Sequence, residues 1–595
     1  MADSEATGRV AAVRESLVSV TLGGRPIRRN EIGFVRTGND RLMGEVLRIR
    51  SDIADMQIFE DTRGIRVGDP VEFSGELLSA VLGPGLLGNV YDGLQNRLAG
   101  LHEAQGAFLH RGARIDPVDR MQSWHFTPTV EMGATVEAGS ILGAVREGVI
   151  EHPVPAPFDL VGQWRLDWLA EGRIDGGSAV ASLSREGRAR DVHLHQNWPV
   201  RRPLAATLES QGLCESRFPE TPLITGIRLI DTMFPVARGG TACIPGPFGA
   251  GKTVLLNLIA RYAEADVVVM VACGERAGEV TETITTFSEL PDPRTGGSLM
   301  DRTVLIANTS AMPVAARESS IYLGLTIGEY YRQLGKHVLI LADSTSRWAQ
   351  ALREMSGFME EIPGDEGYPA YLDSVIKGLY ERAGVVGTEA GSSGSLTLIG
   401  TVSPAGGNFE EPVTQATLGT VKAFLGLSSE RAYRRAYPAV DPLMSWSRYR
   451  EQLASWYRAN LDESWSARVE RFAGLVRSGD QVSQLVQVTG EDGITLEDYV
   501  TLRKADLIDT VFLQQNAMDP VDAFNTLERQ KASAELLETL IDREWDFADK
   551  DAARAVFAEI ASQFRDLNAS ELDSDTYRNH LARLTATLQP ADKQT

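Results

Sequence analysis

The chain has 595 residues, enough for three or four domains with separate cores. Its 59 Lys and Arg stand against 81 Asp and Glu, a net charge of −22, which argues against nucleic acid as the main partner. Three dispersed cysteines, Cys214, Cys243 and Cys273, form no C-x-x-C pair; they suit a reducing cytoplasm and neither a disulfide framework nor a zinc site.

The opening "MADSEATGRV" is acidic and polar, unlike a secretory signal, and no apolar run along the chain is long enough to span a bilayer. A soluble protein is expected, serving a membrane only through partners. Residues 1–75 read as short strands. "RVAAVRESLVSVTL" and "MGEVLRIRSDIADMQIFED" are rich in β-branched residues and broken by glycine, which predicts a small N-terminal β-barrel.

From 116 to 204 a second β-rich segment follows, an insertion with little helical periodicity. Within it "VEMGATVEAGSILGAV" resembles the strand–turn–strand of lipoyl and biotinyl domains, without the lysine those domains modify. "DVHLHQNW" places His193 and His195 on one strand face, a pattern that could begin a metal site; a surface strand is the plainer expectation.

Residues 205–440 change character. The apolar runs "ADVVVMVACG", "RTVLIANTS", "KHVLILADS" and "GSLTLIGTVS" lack polar alternation and are separated by helix-like stretches. That pattern predicts an α/β domain with a parallel sheet covered on both faces. Residues 441–595 turn helical: Gly493 is the last glycine, and only Pro520 and Pro590 interrupt the remaining hundred or so residues.

The chemistry concentrates in "IPGPFGAGKTVLLNLIARY". Gly246, Pro247, Phe248, Gly249, Ala250, Gly251, Lys252 and Thr253 satisfy G-x-x-x-x-G-K-[ST] between a short apolar strand and a helix. Glycines let backbone N–H groups turn onto phosphates, and the helix N-terminus adds partial positive charge. Lys252 can reach the β- and γ-phosphates, and the Thr253 hydroxyl can sit on Mg²⁺. "VLILAD" ends on Asp343, a carboxylate at a strand's C-terminal edge suited to the magnesium side of the site. "VVVMVACGERAGEVTE" ends a buried run on Glu275, placed to orient a water for in-line attack. Glu279 and Glu282 read as structural acids in the first turns of the following helix.

"GPFGAGKT", "GERAGE", "LIANTSAMPVAARE", "ADSTSRWAQALRE", "GDEGYPAYL", "EEPVTQATL" and "FLQQNAMDPVDAF" occur in order. Together they closely resemble the catalytic A (alpha) subunits of V-type and archaeal-type rotary ATPases, almost end to end. The resemblance implies a RecA-like α/β P-loop nucleotide-binding domain at 205–440 whose start lies at 76–115, and the segment 116–204 looks like the insertion that marks those subunits. The resemblance implies a catalytic role for Lys252 and Glu275, and a phosphate-contacting or bracing role for Arg276. It places Tyr437 of "RAYPAVDP" against the adenine, with Met518 where the family usually has an aromatic on the other side. Ala250 stands where eukaryotic relatives carry a cysteine, so redox control there is not expected. Asn408 and Glu410 replace the more usual Asp and Ser.

The cofactor implied is Mg²⁺ with ATP or ADP. The partners implied are a non-catalytic B subunit, alternating in an A3B3 ring and supplying an arginine finger in trans, then central-shaft and peripheral-stalk subunits and a membrane sector moving H⁺ or Na⁺. The expected location is cytoplasmic and peripheral on the membrane. The alternative enzyme is a homohexameric export or secretion ATPase, against which the insertion and "FLQQNA" weigh. A Rho-type nucleic-acid motor would need a basic track. A regulatory B subunit or decayed copy would not be expected to keep Lys252, Thr253, Glu275 and Asp343 together.

Overall fold

Alternating apolar residues drive the first segment into closure. In the computed structural model, which describes residues 8–587 except 25, 107–109 and 389–391, six antiparallel strands form a closed barrel. Around the barrel they run Gly8–Arg14, Leu17–Leu22, Ile53–Ile58, Asp40–Arg50, Glu31–Thr37 and Pro70–Leu77. Val10, Val18, Val35, Leu42, Met56, Val71 and Phe73 fill its interior, as a small barrel requires. The opening residues 1–7 and Pro590 lie outside the described residues.

The β-rich insertion builds two four-stranded antiparallel sheets. One runs Thr135–Val136, Trp164–Leu169, Ala179–Arg185, Arg188–His193; the other Ile150–Pro155, Ile141–Glu147, Ser123–Pro128, Gly172–Asp175. His193 and His195 do not share a face. The strand ends at His193, which is exposed, while His195 is buried with Nε2 2.8 Å from the Pro84 carbonyl. Buried polar contacts fasten the insertion to the rest. Glu147 accepts the N–H groups of Gly85 (2.6 Å) and Leu87 (3.1 Å), its second oxygen lies 2.6 Å from His152 Nδ1, and His152 Nε2 lies 2.7 Å from the Tyr330 hydroxyl. Where the insertion returns, Arg201 forks onto Glu45 of the barrel and Glu318 of the helix Val314–Gln333.

The apolar runs form the predicted parallel sheet. Val90–Tyr91, Thr303–Thr309, Val267–Glu275, His337–Asp343 and Ser393–Val402 lie side by side in that order. Every residue of Val267–Glu275 is buried, which is why the run shows no polar alternation.

The chain divides into two compact units. One comprises 1–218, 265–404 and 408–420, the other 219–264, 405–407 and 421–595. In the second unit the strand Thr241–Pro245 runs parallel to Ala423–Phe424, which pairs antiparallel with Trp446–Ser447. Helices follow from Tyr449 to Thr587, started by side-chain caps: Thr495 and Asp498 form a capping box, and Asp549 accepts the Ala552 N–H at 2.8 Å. Among the described residues no helix is long and apolar enough to cross a membrane.

Candidate functional site

The phosphate loop lies in the second unit. Ala242, Cys243 and Ile244 bury the strand that delivers the loop, and the helix Lys252–Tyr262 opens directly behind it. Gly251 precedes that helix with φ of 85°, a left-handed conformation that side chains resist. Gly246 is needed for packing instead, since a Cβ there would come 2.7 Å from the Leu427 Cβ. Lys252 folds over the loop, donating from Nζ to the carbonyls of Gly246 (2.7 Å) and Pro247 (2.9 Å). These are contacts a phosphate would replace. Gly249, Phe248 and Thr253 face solvent, with Phe248 79% exposed, while Ala250 is buried.

The predicted base-side residues belong to the same unit. Tyr437 offers its carbonyl to the Gln515 N–H at 2.7 Å, and its hydroxyl is buried without a hydrogen-bond partner. Burial pushes that phenol well above its usual range. Met518 sits 89% exposed on the loop that follows Gln515. Phe524, on the same loop, stacks on Tyr262 with ring centres 5.0 Å apart and planes 18° apart.

The predicted acids lie in the first unit. Glu275 and Asp343 end neighbouring parallel strands, with Ala272 opposite Asp343 and a bulge advancing Glu275 beyond it. This is the carboxyl edge where α/β sheets bind ligands. Asp343 is buried and accepts the Thr401 hydroxyl at 2.5 Å. Glu275 is 8% exposed; Arg347 approaches its Oε2 at 3.2 Å and donates to the Gly274 carbonyl at 3.0 Å. Burial pushes the Glu275 carboxyl up to about 8, helped by the neighbouring acids Glu279 and Asp343 and opposed by Arg347. Such a group holds a proton near neutrality and can trade it. Arg276 is exposed at the N-cap of the helix Ala277–Glu289.

The Thr253 hydroxyl on one unit and the Asp343 carboxylate on the other are each hard oxygen donors of the kind a divalent ion takes. Among the described residues no cluster of three His, Cys, Asp or Glu side chains forms an all-protein metal cage. Mg²⁺ does not ask for one, because it usually takes one or two protein oxygens and completes its shell with phosphate and water.

Comparison with known proteins finds four family matches along the chain. The ATP synthase alpha/beta family nucleotide-binding domain matches residues 226–447, and that family's beta-barrel domain matches 18–75. Its barrel-sandwich domain matches 115–201, and the C-terminal domain of V and A type ATP synthase matches 454–555. The V-type ATP synthase alpha chain of Treponema denticola is 48% identical over 575 residues, 96% of this chain and 95% of that one. The chain belongs to the V-type ATP synthase alpha chains. Alpha chain 1 of Treponema pallidum is 48% identical, covering 98% of this chain and 97% of its own, and the alpha chain of Protochlamydia amoebophila is 45% identical, covering 100% and 99%.

Within this alpha-chain framework, sequence reasoning missed three participants. Arg347 lies inside the quoted "ADSTSRWAQALRE", yet nothing in its local pattern points to Glu275, 72 positions earlier. Glu279, read as a structural acid, is also among the groups that raise the Glu275 carboxyl. The available signal was spacing: an acid four residues on, one turn into the next helix, can reach back to the strand end. Phe524 closes the quoted "FLQQNAMDPVDAF", and its stack on Tyr262 needs the fold to be seen.

Proposed function

We propose that the chain is the catalytic subunit of a rotary V-type ATPase, hydrolysing ATP to ADP and phosphate, or running the reverse, coupled to movement of H⁺ or Na⁺ across a membrane. The observation that carries this is a complete phosphate loop with Lys252 over its carbonyls, in a family member that also keeps a proton-holding Glu275 braced by Arg347.

In this reading ATP enters as its magnesium complex. Backbone N–H groups of Gly246, Phe248, Gly249, Ala250 and Gly251 cradle the phosphates, with Pro247 shaping the turn, Lys252 neutralises charge on the transferred group, and Thr253 and Asp343 serve the magnesium side. Glu275, when ionised, orients the attacking water and takes its proton; a carboxyl with raised affinity for protons is the stronger base for that step. Arg347 holds that carboxylate in place, and Arg276 contacts phosphate or braces the loop. Tyr437 and Met518 flank the base.

A further arginine from a non-catalytic B subunit, in an alternating A3B3 ring, completes the charge stabilisation; such fingers contribute roughly 10³–10⁵ in rate. The shaft, peripheral stalk and membrane sector then carry the coupling, and the chain works on the cytoplasmic side, held to the membrane by the complex. The functional divisions are 1–75, 76–115, 116–204, 205–440 and 441–595.

Two variants in the assembled complex test the reading. Lys252→Ala loses ATP hydrolysis and weakens nucleotide binding. Glu275→Gln keeps Mg-ATP binding and loses roughly 10²-fold or more in turnover. Unchanged turnover in Glu275→Gln contradicts the assignment.

A further inference from the structure

The loop 514–526 has no regular secondary structure, so its backbone groups need partners from elsewhere. Arg228, 0% exposed and just ahead of the phosphate-loop strand, supplies them. Its guanidinium donates to the carbonyls of Phe512 (2.7 Å) and Gln514 (2.6 Å), to Asp522 Oδ1 (2.7 Å) and to Asn525 Oδ1 (3.0 Å). Its own backbone N–H donates to Gln515 Oε1 at 2.6 Å, and Gln515 Nε2 returns to the carbonyls of Gly226 (3.2 Å) and Asp522 (2.8 Å). The other oxygen of Asp522 accepts the Asn516 N–H at 2.7 Å, locking the limb that leads to Met518.

We propose that Arg228 is a positioning residue for nucleotide recognition, setting the Met518 loop against the phosphate-loop segment. The proposal rests on the ATP-binding reading above. Two further contacts tie this clasp to the base side: Gln515 N–H holds the Tyr437 carbonyl, and Phe524 stacks on Tyr262 at the far end of the helix that Lys252 begins. Both ends of the loop are therefore fixed at one guanidinium while its tip, Met518, stays exposed. A buried Arg–Asp pair is no better for stability than apolar packing, whereas a planar fork of five donors fixes geometry. Lysine, with three donors at one point, cannot serve four acceptors spread along a loop.

The test is Arg228→Lys in the assembled complex, with Asp522→Asn and Asn525→Ala as milder variants should the first fail to assemble. The expected result is a KM for Mg-ATP raised about tenfold with kcat within about twofold, and a preference for ATP over GTP reduced by a similar factor. Asp522→Asn and Asn525→Ala shift KM and preference in the same direction by less. A variant that melts lower but keeps the native KM and ATP-to-GTP ratio overturns the proposal, leaving Arg228 a structural residue only. A native complex that neither binds nor turns over ATP fails the underlying reading instead, before any variant is compared.

Discussion

Glu275 occupies an environment that works against its charge. It is buried at a strand end, beside the acids Glu279 and Asp343, with Arg347 opposing, and its carboxyl rises from 4.5 to about 8. The consequence for stability follows from proton linkage. Between about pH 4.5 and 8 the unfolded chain gives up this proton while the folded chain keeps it, so native stability falls as pH rises through that window. Glu275→Gln has no proton to lose. In the nucleotide-free full chain, the melting temperature of Glu275→Gln relative to native should therefore climb from pH 5 toward 8 and level off above about 8. A difference that shrinks with rising pH contradicts the assignment. At this scale the placement of Lys252 and Thr253 at a helix start, and of Glu275 and Asp343 at strand ends, could be read from the chain, because each sits at a fixed offset in its motif. Arg347 could not, since its partner lies on another element and no local spacing encodes the meeting.

Between elements, buried polar groups decide more than the apolar pattern does. Asp231, within the turn Leu229–Met233, accepts four hydrogen bonds: Thr225 N–H (2.9 Å) and hydroxyl (2.7 Å) on one oxygen, Gly226 N–H (2.9 Å) and Gln530 Nε2 (2.8 Å) on the other. Burial pushes its carboxyl up to about 6 despite those donors. Asp231→Asn must set an N–H₂ group against donors whichever way the amide turns. The expected cost is about 1–3 kcal/mol, read as a lower melting temperature at pH 7; an unchanged melting temperature contradicts the geometry. The long buried strands announced themselves as unbroken apolar runs. Ala423–Phe424 and Trp446–Ser447 did not, because a two-residue strand is shorter than any periodicity. His193 and His195 misled for a related reason: alternation holds only while the strand continues, and it stops between them.

For the whole molecule, the chain order of barrel, insertion, sheet and helices was readable because each changes the apolar period or the glycine content. Its division into units was not. Residues 219–264 group with the C-terminal helices and away from the strands that come next in the chain, through side-chain networks such as that of Arg228. The partners of the chain lie outside its own pattern altogether. The catalytic reading needs an arginine from a neighbour, and that makes stoichiometry the most direct test. The measurement is the native mass of the complex co-purified with this chain from its own host in Mg-ADP. Three copies of the chain with three of a second, related protein are expected. Six copies of this chain alone, hydrolysing ATP unaided, would contradict the account.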